Sequence, residues 1–202
     1  MNAIGNERYN AVAMTLHWLI ALSIIALIAA GVWMVDAIKQ PESRATAFQT
    51  YQLHKSLGLT VLVLSVLRLA WRLTYRAPPL PDGMSAFERF AAKSTHILFY
   101  ALMIGMPLAG WAMVSASKFG LPTIVFGLFE WPHIAWIETI DNLETKAATE
   151  AVFKTAHKYM GYALGALLVL HVGAALKHHF VNRDGVLARM VPGIQARGSH
   201  NA

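Results

Sequence analysis

The sequence contains no cysteine. That absence excludes a disulfide framework, an iron–sulfur cluster, a Cys-x-x-Cys-His attachment for covalent haem and any thiolate ligand. A redox cofactor or metal would have to be held by histidine, methionine or oxygen. Charge is also scarce. Asp, Glu, Lys and Arg make up 14% of the 202 residues, against about 25% in soluble domains. The net charge of +6 comes from cations that flank apolar runs instead of forming a stripe. Such a pattern suits anionic lipid headgroups and not nucleic acid. Internal repeats and low-complexity tracts are missing as well.

What is plentiful is apolar surface, 56% of the chain, gathered into four runs at approximately 12–35, 51–72, 94–117 and 153–177. Val12 to Val35 and Ser94 to Ser117 carry no charge, and Ser56 to Trp71 contains Arg68 alone. Each run approaches or exceeds the roughly 20 residues that cross a hydrocarbon core. The first is too long for the apolar stretch of a signal peptide, about 7–15 residues. The expected fold is all-α: a single membrane domain over 1–202, an integral four-helix bundle. Arg76 to Gly83 (RAPPLPDG) reads as a stiff turn between the second and third spans, and Pro107 should kink the third. Residues 118–152 form the longest connection, an outer loop. Its aromatic-rich part, Phe119 to Trp136, is too short to span and is expected to rest at headgroup level. Four spans put both termini on one side. Ten of the 17 Lys and Arg residues fall there, which places the termini in the cytoplasm.

Nine histidines are present, and their depth carries the functional reading. Ionisable or metal-binding residues inside a membrane are rare and usually functional. His17 and His96 fall near the cytoplasmic starts of the first and third spans, and His54 near the outer start of the second. The fourth span has His157 near its outer end and His171 near its inner end. Fourteen residues separate this last pair, about 21 Å along a helix and about 40° around it. One helix thus presents an imidazole to each half of the bilayer, on one face. At the outer level His157 has one buried partner, His54. At the inner level His171 could pair with His17 or with His96. Two stacked bis-histidine sites in an apolar slot are what two b-type haems require. Zinc would want three or four ligands at one level. A histidine-lined ion pathway or proton relay is the competing class. Gly58 and Gly161, each four residues after an outer histidine, would leave room for a flat macrocycle; Gly161 and Gly165 equally fit a small-residue helix interface.

Several stretches together are similar to the bacterial cytochrome b561 family, from about Arg8 to Gly193: Thr15-Leu16-His17-Trp18-Leu19, His54-Lys55-Ser56-Leu57-Gly58, Arg68-Leu69-Ala70-Trp71-Arg72, His96 onward to Pro107-Leu108-Ala109-Gly110-Trp111, His157-Lys158-Tyr159-Met160-Gly161, His171, His178-His179-Phe180 and Arg183 to Pro192. The resemblance implies an inner-membrane cytochrome with two haems b that exchanges electrons with the quinone pool. It implies His17 with His171 as the inner iron ligands and His54 with His157 as the outer ones. It also suggests a superoxide:ubiquinone oxidoreductase or a pure electron-transfer cytochrome. The alternative is a haem-bearing anchor subunit of a larger hydrogenase or dehydrogenase.

Three further expectations concern the surroundings of these sites. Arg68, inside the second span, should meet a propionate of the inner haem. His178, seven residues after His171, should lie beside the inner site and serve a quinone as hydrogen-bond donor and proton carrier. Lys55 and Lys158, each directly following an outer ligand, could steer a small anion such as superoxide to the outer face, or could simply anchor helix ends among headgroups.

Overall fold

The computed structural model describes residues 8–75, 77–81, 83–191 and 193. Arg76, Asp82 and Pro192, which figure in the readings above, lie outside the described residues. Four long helices dominate: α1 Ala11–Ala37, α2 Arg44–Thr74, α3 Ala86–Ser115 and α5 Leu143–Lys177, the last extended by a π-helical turn at His178–Asn182. All four are long and apolar enough to cross a membrane. Their starts are capped by short polar side chains. Asn10 accepts from the Ala13 N–H and Asn142 from the Thr145 N–H, while Ser85 and Glu88 form a reciprocal capping box. α5 begins ten residues ahead of the apolar run, and those turns carry Glu144, Lys146 and Glu150. Pro107 sits within α3 without ending it.

Most hydroxyls inside the spans find a backbone acceptor, although the fully buried Ser65 of α2 has no hydrogen-bond partner. Ser56, Thr60 and Ser115 each bond the carbonyl one turn back, which lets a polar residue sit in hydrocarbon. Large apolar side chains point away from the protein all along the helices: Leu22, Val32, Ile97 and Val169 are each at least 60% exposed. In water that surface would be unstable. In a bilayer it is the lipid-facing wall.

Close backbone approach is concentrated in two pairs, α1 with α2 and α3 with α5, with α2 and α3 joining them. A small core of Ile20, Ile24, Val61, Met103 and Leu164 fills the middle of the bundle, one or two residues from each long helix.

Residues 118–142 depart from the all-α expectation. Thr123–Val125 and Phe129–Trp131 form an antiparallel hairpin turning on Gly127, followed by a short helix α4 at Ala135–Glu138. The hairpin leans on α2. Ser56, 1% exposed, shares its hydroxyl proton between the carbonyls of Gln52 and Ile124 and accepts from the Phe126 N–H at 3.1 Å. Ile137 of α4 packs on Ala112 and Ala116 at the end of α3. At the opposite end the chain is stitched shut. Arg8 donates to the Val191 carbonyl at 2.7 Å, Trp18 Nε1 to that of Met190 at 2.8 Å, and Arg189 to that of Pro79.

The Ser56 contacts generate a test. Ser56→Ala removes the acceptor of the part-buried Phe126 N–H, a loss of about 0.5–1.5 kcal/mol. Amide exchange over 123–131 should accelerate in the variant while exchange in the four helices stays unchanged.

Candidate functional site

α5 carries two imidazoles, one at each level, and other helices bring partners to both. At the outer level the rings of His54 and His157 stand 6.2 Å apart centre to centre, at 65°. At the inner level His171 lies 6.3 Å from His17 and also 6.3 Å from His96, at 63° in each case. The distances alone therefore keep both inner partners open, as depth did. Phe99 packs edge-on to His171 at 5.2 Å. Leu164, seven residues from each α5 histidine and 3% exposed, lies in the apolar core between the levels.

These pairs fit a shared metal centre between opposed rings. A metal–nitrogen bond is about 2 Å and a ring nitrogen lies about 1 Å from its centroid, so two imidazoles on one ion stand about 6 Å apart. The histidines of α1 and α2 face those of α5 across the seam between the two closely packed helix pairs. A side chain added at Gly58 would meet nothing within 4 Å, whereas one at Gly161 would touch Met106. Clearance thus describes Gly58, and helix packing describes Gly161. Among the described residues no group of three or more His, Asp or Glu is arranged to hold a bare metal ion.

Two glycines given no individual role in the sequence reading back the outer pair. A methyl at Gly31 of α1 would lie 3.3 Å from His54 Cε1, and one at Gly110 of α3 would lie 3.1 Å from both Cε1 and Nδ1 of His157. His157 Nδ1 donates to the Met106 carbonyl at 3.0 Å, which turns Nε2 away from α3 as the free nitrogen. His54 Nδ1 is buried without a hydrogen-bond partner. No local sequence signal announces these contacts, because each joins residues on different helices.

Arg68 is part-buried and donates to the Ala13 carbonyl of α1 at 2.6 Å. Its guanidinium also hydrogen-bonds the Tyr100 side chain of α3, so protein engages part of the fork and its other donors face the His17 level. Lys55 donates to the Pro122 carbonyl at 2.8 Å, beside Gln52, which reaches the same oxygen; its ammonium ties α2 to the hairpin. Lys158 rests over the Tyr162 ring at 5.8 Å. His178 is 7% exposed and its Nδ1 lies 2.5 Å from Asp184 Oδ2. The carboxylate takes the Nδ1 proton in hydrogen bonding and fixes the ring. The sequence reading missed Asp184 because the turn at Arg183, with φ 54°, is what folds it back.

A hydrophobic bundle with facing histidine pairs at two depths defines a class, the membrane cytochromes of b type. A profile of the prokaryotic cytochrome b561 family matches residues 8–193, and the chain belongs to that family. It is accordingly a membrane electron-transfer protein of a haem b-binding family. Among its relatives, cytochrome b561 homolog 2 of Escherichia coli K12 is 32% identical over 92% of each chain. The probable superoxide oxidase CybB of Yersinia pestis is 30% identical, covering 93% of this chain and 97% of that one. Cytochrome b561 homolog 1 of E. coli K12 is 29% identical over 92% and 98%.

The position of Arg68 carries a prediction. A positive charge near a b-type iron favours the reduced form, so, if a haem is held at the His171 level, Arg68→Leu should lower its midpoint potential and leave that of any haem at the His54 level unmoved. Potentiometric titration of the purified protein reads both. An unaltered inner midpoint would mean that the guanidinium serves only its protein partners, the Ala13 carbonyl and Tyr100.

Proposed function

We propose that this chain moves electrons across a bacterial inner membrane through two haems b, between a quinone on the cytoplasmic side and a small redox partner outside. The observation that carries the reading is the presence of facing imidazole pairs at two depths, 6.2 and 6.3 Å apart, on either side of a core that includes Leu164. In this reading His54 and His157 ligate the outer iron and His17 and His171 the inner one. Both termini face the cytoplasm. Bound haem b supplies one-electron iron chemistry in an apolar setting.

The protein's own groups orient and shield. Gly31 and Gly110 admit the outer rings, Phe99 walls the inner one, and Arg68 offers charge to a propionate. His178, held by Asp184, presents its other ring nitrogen to a quinone carbonyl and passes a proton. For the outer partner the similarity to a probable superoxide oxidase favours superoxide. Two superoxide anions would each give up one electron and leave as dioxygen, and one quinone would take both electrons with two protons. Lys55 keeps its charge while donating to the Pro122 carbonyl, and steering falls to it together with Lys158 and its neighbours.

Reduced-minus-oxidised spectra with haem quantification test the reading: two haems per chain are expected. His54→Ala and His157→Ala should each lose the outer haem alone, and His17→Ala and His171→Ala the inner haem alone. Loss of the inner haem in His96→Ala, with retention in His17→Ala, would transfer that ligand role to His96.

The quinone side has its own measurement. His178→Ala should slow quinone-dependent reoxidation of the reduced protein at least tenfold, in the range typical of a lost acid–base group, with haem content unchanged. An unchanged rate would remove His178 from the quinone site. Stopped-flow reduction by superoxide across a salt series, with Lys158→Gln alongside, tests the outer partner.

A further inference from the structure

The two outer imidazoles are supported unequally, and the cause is one residue of α3. His157 is hydrogen-bonded through Nδ1 to the Met106 carbonyl, whereas His54 Nδ1 is buried with no partner. The His157 bond depends on close approach. A Cβ at Gly110 would stand 3.1 Å from both Cε1 and Nδ1 of that ring, tighter than side chains normally tolerate. Met106 and Gly110 are one helical turn apart on the same face of α3. A ring pushed off Gly110 is therefore pushed off the Met106 carbonyl as well.

We propose that Gly110 is a positioning residue for the outer haem: it admits the His157 ring to the Met106 carbonyl and so makes His157 the more electron-rich of two unequal axial ligands. The inference rests on the reading of His54 and His157 as the outer pair. A ligating imidazole that donates its second N–H gains basicity, and the hydrogen-bonded partner also fixes its tautomer and orientation. His54 lacks that support. Its ring lies near Gly31, where an added methyl would meet Cε1 at 3.3 Å but Nδ1 only at 3.9 Å. A more basic ligand stabilises ferric iron, so the His157 bond lowers the outer midpoint potential.

The test is Gly110→Ala in the full-length holoprotein. Alanine is the better helix former, so the helix itself gains and any loss arises at the ring. Gly105→Ala, where a methyl meets Met160 Sδ at an ordinary 3.6 Å, is the control in the same helix. Haem content comes first. If wild-type protein lacks a second haem that depends on His54, the reading of the outer pair fails. With that haem present, Gly110→Ala should raise its midpoint by a tenfold change in the oxidised-to-reduced ratio, about 59 mV for one electron. The inner haem and the Gly105→Ala protein should be unmoved. Selective loss of the outer haem in Gly110→Ala also supports the proposal. An outer haem with unchanged midpoint and unchanged low-spin EPR overturns it. Should Gly110→Ala lose both haems, pulsed EPR of the wild-type outer signal, identified as the one absent in His54→Ala, decides. Two distinct quadrupole couplings from the remote ring nitrogens support unequal ligands, and identical ones overturn them.

Discussion

His157 and His171 are locked to one face of one helix, and the remaining helices have to meet them there. Their separation is fixed by helical rise, so the bundle is obliged to provide a partner at two depths. α2 provides one at the outer level, while α1 and α3 both reach the inner level. Everything between is constrained in turn. The space separating the levels is filled by apolar residues, one or two per helix, with Ser65 of α2 the one buried hydroxyl there that has no hydrogen-bond partner among the described residues.

The arrangement of the helices follows from the same requirement. Two tight pairs, α1 with α2 and α3 with α5, leave a seam that is crossed by imidazole rings. Small residues at Gly31 and Gly110 set how deep the outer rings may sit. At the rim, polar side chains bind backbone carbonyls across elements: Arg68 to Ala13, Lys55 to Pro122, Trp111 Nε1 to Pro132. Charged and aromatic groups here fasten helices and loop to one another, and their positions at the ends of apolar runs suit the membrane interface.

The helices were legible in the sequence because hydrocarbon thickness demands long runs with little charge, and such runs cannot be hidden. The facing of His54 and His157 was legible too, since depth along a span follows from counting residues. Depth says nothing about direction around the bundle axis, which is why His17 and His96 stayed equivalent by position and stand equally far from His171. The hairpin escaped notice because its strands are three residues each, too short for alternation to register. Gly110 was visible within a motif, but its closeness to His157 joins α3 to α5 and has no sequence period. Arg68 drew attention as a buried cation; its carbonyl partner on α1 could be found only by packing the helices.

The stitching at the terminal side has a bearing on how the molecule is assembled. Arg8 and Trp18 bond to Val191 and Met190, positions 183 and 172 residues later. During synthesis α1 emerges and enters the bilayer long before those acceptors exist. The inner level therefore remains open at its rim until the last helix is in place and the chain beyond it folds back over α1. A cofactor bound by the deeper pair would have its window of delivery in that interval, before the clasp closes.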